Sequence, residues 1–222
     1  MIPKTVLSRI PNEPWCLTAL EQAQSALPEA ILNHSLRVFL IAQWLADAEV
    51  DAELDAPLPL PLIFAAAIFH DMGACDLYNG KQRFEVEGAD AAETHLIANG
   101  IPKSDSHKVW VAIALHTSPG IAERIDPFTR LIRNAVKIDF SEASQEKHNA
   151  KEFVASVERD LPRLDIETVL ANAVVQQAEK IPESVDGMNW PDSEKHPKAS
   201  WPGILLRAHI EYPDYDGINP AF

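Results

Sequence analysis

Residues 61–73 read PLIFAAAIFHDMG, an almost unbroken apolar run that ends in a charged doublet, His70-Asp71. An isolated buried charge is unfavourable by several kcal/mol, about enough to undo a fold, so such groups are paired or bound to a cation. The partners must come from elsewhere in the chain. Helical spacing finds them. His70 shares a face with Ile63, Ala66 and Ala67, and His34 shares one with Ile31, Val38, Ile41 and Leu45. His116 falls in register with Val109, Ala112 and Ile113, and Asp139 with Ile132, Ala135 and Val136. Separate helices therefore turn an imidazole or a carboxylate towards a common core. That donor set suits a borderline transition ion, and facing helices are how helical bundles assemble such sites.

The order His34, His70-Asp71, Asp139 resembles the H…HD…D signature of the HD-domain superfamily of all-helical, metal-dependent hydrolases. Within it, NHSLRVF around His34, FHDMG around His70, RFEVEGADAA and IALHTSPGIA resemble the cyanamide hydratase branch. The resemblance spans roughly Leu27 to Phe140. It implies an all-α fold, His34, His70, Asp71 and Asp139 as ligands of one divalent metal, and His116 in the active-site cavity. Zinc is the leading ion, with iron or manganese sharing the same ligand types. Such an ion lowers the pKa of bound water towards neutrality and polarises an electrophile. Phosphorus, a carbonyl or a nitrile carbon are all open to that nucleophile.

Resemblance therefore selects the reaction, hydration of a small nitrogen-containing molecule such as cyanamide to urea. The alternative is an HD phosphohydrolase acting on a nucleotide or phosphate monoester. His116, with Thr117 beside it, is assigned proton transfer or substrate orientation. Glu85 is a second acid–base candidate, with Lys81 and Arg83 as substrate contacts. Near the motifs Lys81, Arg83 and Lys137 are basic and no phosphate loop is present, which tilts the reading towards an uncharged substrate, while folding could still bring Arg37, Arg124 or Arg130 to the pocket as phosphate contacts. His95 with His116 would be the extra ligands of a dinuclear variant, a weaker reading because flanking dinuclear motifs are missing. Each lone core histidine can also be a hydrogen-bonded packing residue, but four such coincidences in family order count against that.

With 222 residues and 46% hydrophobic content, the chain can bury one substantial core. The expected organisation is an N-terminal arm at 1–15, the HD domain at 16–181 and an irregular tail at 182–222, rich in aromatic residues and proline. Aromatic residues favour packing of that tail on the bundle or on a second subunit, which makes a homodimer an expectation. A net charge of −14 opposes contact with nucleic acid or anionic membranes. Cys16 and Cys75 are too few for a disulfide scaffold, and the start lacks a secretory apolar stretch, so a soluble cytoplasmic enzyme is expected. KQRFEVEG, residues 81–88, is expected as a loop over the pocket, Gly73 as the stop of the His70 helix, and Ser104 or Asp105 as the cap of the next-but-one helix. The charged stretches EVDAELDA and DSEKHPK, and His107, His148 and His196, are expected to be solvated.

Overall fold

The computed structural model describes residues 2–48, 58–180, 196 and 200–222, and among these every regular element is helical. The acidic connection at 49–57 and most of 181–199, including Trp190 and the DSEKHPK stretch apart from His196, lie outside the described residues.

Two apolar helices form the centre. α3 (Glu29–Ala48) is buried along most of its length, and α4 (Leu60–Phe69) buries every residue from Leu62 to Phe69. A helix that is apolar all round must be surrounded by others. Here α2 (Pro14–Ala26), after the one-turn α1 (Lys4–Leu7), packs on α4. α5 (Phe84–Ala98) and α6 (Lys103–Ala114) form a packed pair that also contacts α4. Between them Gly100 takes a φ of 79°, a left-handed value that glycine adopts without steric penalty. After the short α7 (Ala122–Ile125), α8 (Pro127–Phe140) lies along α3. Its start is set by the Asp126-Pro127 pair: Asp126 accepts the Thr129 backbone N–H at 2.9 Å and Pro127 occupies the first turn. α9 (Glu142–Lys147), α10 (Lys151–Asp160) and α11 (Ile166–Lys180) complete the bundle, the last two against α3.

Three local expectations fail, each through tertiary contact. Residues 84–88 are the first turn of α5, not a loop, with Phe84, Glu85 and Gly88 buried. α4 ends at Phe69 and a 3-10 turn spans Met72–Ala74, so Gly73 does not stop the helix. Its lack of a side chain serves a close approach: a Cβ at Gly73 would stand 1.8 Å from the Phe84 carbonyl oxygen, and one at Gly88 2.9 Å from that of Phe69. The His-Asp turn and the start of α5 are therefore in backbone contact. α6 begins at Lys103 behind Pro102, which leaves Ser104 and Asp105 inside the first turn instead of at the cap. His196 is also buried, against the expectation of solvation.

The C-terminal segment folds back on the bundle. α12 (Trp201–Glu211) packs on α11, Trp201 lies 6.1 Å from the Phe84 ring and 6.2 Å from that of Phe222, and Asn219 Nδ2 donates to the Leu205 carbonyl at 3.1 Å. No described helix is long and apolar enough to cross a membrane.

Candidate metal centre

Four helix segments converge where α3, the end of α4, the end of α6 and α8 meet. His34, His70, Asp71, His116 and Asp139 are all buried there. The orientation of each imidazole follows from its Nδ1 partner. His70 Nδ1–H donates to the Ala67 carbonyl at 2.7 Å, and His116 Nδ1–H donates to that of Ile113 at 2.6 Å. His34 Nδ1–H donates to Asp139 Oδ2 at 2.7 Å. With Nδ1 protonated, neutral imidazole presents a lone pair at Nε2.

All three lone pairs face Asp71. The Nε2 atoms of His34 and His70 stand 3.1 Å apart, and Asp71 Oδ2 lies 3.2 Å from the second and 3.5 Å from the first. Donors about 2.0–2.1 Å from one tetrahedral ion are themselves roughly 3.3 Å apart. Asp71 Oδ2 is buried and makes no hydrogen bond. Acceptors crowded on an orphaned carboxylate oxygen require a cation, either a proton or a metal ion. His34, His70 and Asp71 are the described residues whose ligand atoms lie within 4.8 Å of one another.

The titration behaviour agrees. Burial pushes the Asp71 carboxyl up, but the charge of His70 and the neighbouring imidazoles of His116 and His34 outweigh it and hold the carboxyl well below its ordinary value. Burial lowers His70, yet the adjacent Asp71 charge raises it overall. For His34 burial wins over the Asp139 hydrogen bond and the net direction is down.

Asp139 stands behind His34. Its Oδ1 accepts from Arg37 Nε at 2.7 Å, and its Oδ2 accepts from Arg37 Nη2 at 2.8 Å and from His34 Nδ1. Both oxygens are thus engaged on the side of His34 away from Nε2, where the resemblance implies a fourth ligand. Burial works against ionisation of Asp139, but the Arg37 and His34 hydrogen bonds outweigh it and hold the carboxyl far below the usual range. Arg37 is itself fully buried and donates further to the Leu161 and Pro162 carbonyls at 3.1 and 3.3 Å. Sequence reading treated Arg37 as a possible phosphate contact. Its position three residues after His34, inside an apolar helix, was the available sign of a buried ion pair.

A cavity of about 850 Å³ opens onto His34, His70, Asp71 and His116. His116 Nε2 is 3.6 Å from Asp71 Oδ1. Thr117 lines the cavity, and its hydroxyl donates to Glu85 Oε1 at 2.5 Å. The same oxygen accepts from Arg83 Nη2 at 2.9 Å. Glu85 is fully buried and stands outside the lining, holding Thr117 and Arg83, which are in it. Lys81 is exposed and outside the lining. His95 lies away from this centre, with Nε2 on the Trp15 carbonyl at 2.8 Å and its ring 5.3 Å from Phe69. Arg133, Phe140, Trp201 and Phe222 complete much of the wall and were not singled out as site residues by sequence reasoning.

Residues 31–152, more than half of the chain, match the HD-domain family. The protein belongs to that family, whose members are in general metal-dependent hydrolases. The matched span contains all five buried site residues and ends well before α12. A search of curated proteins with the whole sequence finds no match.

Proposed function

We propose that this HD-domain protein is a metal-dependent enzyme that adds water to a small nitrogen-containing molecule, with cyanamide to urea as the reference reaction. The observation that carries the reading is the convergence of two imidazole lone pairs and the orphaned Asp71 oxygen on one point. His34, His70 and Asp71 hold the ion, most readily zinc, with iron or manganese as alternatives, and Asp139 acts through His34, fixing its ring and raising its basicity. When bound, a divalent ion supplies water of lowered pKa and polarises the electrophile. His116 has its Nδ1 committed to Ile113, so its Nε2 is free to take the proton lost by the attacking water and return it to the substrate nitrogen. Thr117, held by Glu85, and Arg83 orient the substrate. Lys81 has no part in this reading.

A net charge of −14 and two unpaired, buried cysteines support a cytoplasmic small-molecule enzyme over a nucleic-acid or membrane partner. Elemental analysis of the purified protein, paired with a cyanamide-to-urea assay, tests the proposal on wild type and Asp71→Ala. Bound transition metal and urea release in wild type, both lost in the variant, are expected; a metal-free wild type would refute it. One observation favours a second reading, phosphohydrolysis: Arg83, Arg133 and Lys137 all line the cavity. Release of inorganic phosphate from a nucleotide panel, without urea from cyanamide, would select it.

A further inference from the structure

The cavity is far larger than the reference substrate needs. About 850 Å³ falls in the range, roughly 300–1,000 Å³, of pockets that take drug-sized ligands. An N–C–N skeleton would leave most of it to water.

Its walls differ in chemistry. One is cationic. Arg133 Nη1 donates to the His116 carbonyl at 2.8 Å, and Arg83 is tied through Glu85 to Thr117, so two guanidinium groups flank the adjacent residues 116 and 117. The Nε–H of Arg83 is buried and makes no hydrogen bond, and that of Arg133 faces the Glu123 carboxylate. Arg133 and Lys137 share Glu123, whose Oε1 lies 3.5 Å from Arg133 Nε and 3.7 Å from Lys137 Nζ, both ion-pair distances without a hydrogen bond to Nε. One carboxylate thus serves two cations. Burial lowers the Arg133 pKa, and Glu123 offsets that only in part. Two guanidinium groups lining one cavity suit an oxyanion ligand. Another part of the lining is apolar and comes from the C-terminal segment: Trp201, Ile204 and Phe222, the last two 40% and 53% exposed. Large apolar side chains left open on a cavity wall mark where an apolar ligand body lies.

We infer that the cavity takes an amphipathic organic anion, its oxyanion head group held by Arg83 and Arg133 and its apolar body lying along Trp201, Ile204 and Phe222. This rests on the reading of the centre as a water-activating site and specifies its small-molecule substrate as charged, against the uncharged substrate towards which the sequence tilts. Carboxylate and phosphate ester share the head-group chemistry.

Isothermal titration of the purified, metal-containing full chain with 4-phenylbutyrate, its neutral amide and phenyl phosphate tests the inference. The acid is expected to bind about tenfold or more tightly than the amide, from the charge-assisted hydrogen bonds alone. Arg83→Gln or Arg133→Gln should remove that advantage and leave amide binding unchanged, while Trp201→Leu should weaken acid and amide alike. Arg133 supports His116, so Arg83→Gln is the variant to rely on if Arg133→Gln fails to fold. If phenyl phosphate displaces the acid and loses affinity in the same variants, the anion is a phosphate ester; if only the acid behaves so, it is a carboxylate, and either result supports the inference. Equal affinity for acid and amide, or no binding of either, overturns it. So does an acid whose binding vanishes in Asp71→Ala but ignores the arginine changes, since the metal would then hold it. Failure of the water-addition reading is separable: it appears as absent urea release while guanidinium-dependent binding persists.

Discussion

Arg37→Met tests the buried support of the centre most directly. The substitution keeps the length of the side chain and deletes a guanidinium that is fully buried and makes two hydrogen bonds to Asp139, at 2.7 and 2.8 Å. Asp139 is left as a buried carboxylate with His34 on one oxygen and Arg163 Nη1 at 3.7 Å. Breaking a buried pair by removing one partner costs about 3–5 kcal/mol. In a chain of this size each kcal/mol moves the melting temperature by about 2–4 °C, so a fall of roughly 6–20 °C is expected. The difference from wild type should shrink in acid. A carboxyl depressed in the folded state contributes stability that is complete above its unfolded value of about 3.9 and is lost as pH falls through the lower folded value. Because Asp139 orients His34, metal affinity should also drop by about 10–100-fold. Differential scanning calorimetry and metal titration read the two effects. Adding Asp139→Leu should cost less than the sum of the single changes, since the orphaned charge is then gone. Melting within about 2 °C of wild type, with unchanged metal affinity, would show that the Arg37–Asp139 pair supports neither fold nor centre.

Metal affinity should weaken as pH falls through the raised His70 pKa, above about 6.5, because a proton on Nε2 competes with the ion. Calorimetric titration in two buffers of different ionisation enthalpy should report proton release on metal binding; buffer-independent heats would contradict this. Gly73→Ala drives a Cβ into the Phe84 carbonyl and should cost about 1–3 kcal/mol or more, read as a lower urea midpoint, and a wild-type midpoint would show that the approach of α5 is not tight. Asp126→Ala removes the α8 cap and should cost about 0.5–2 kcal/mol in the same measurement, with less than a few tenths as the refuting result.

His34, His70, Asp71 and His116 were legible because a polar residue on an otherwise apolar helical stripe announces itself in periodicity. Periodicity gives the face of a helix and nothing finer. Whether Asp139 offers an oxygen to a shared point or turns it to Arg37 depends on a guanidinium reaching across from α3, a contact about a hundred residues apart in sequence. The start of α5 was unreadable for a related reason. FEVEG has mixed propensity, and its helix is fixed by the Met72–Ala74 turn packed on Gly88 and Phe84. Arg133 looks like an ordinary polar-face residue of an amphipathic helix, and only the fold shows that its face borders a cavity.

α12 and Phe222 border the same cavity as the buried histidines, yet they come from a part of the chain beyond the family match. Part of the cavity wall thus lies on a stretch of sequence separate from the centre, while Arg83 and Arg133 lie inside the matched span. On the function proposed above, side chains at 201, 204 and 222 would vary without changing His34, His70 or Asp71, so ligand preference would drift while the reaction type stayed put. Grafting a different C-terminal segment onto an unaltered bundle would then be a direct route to a new specificity.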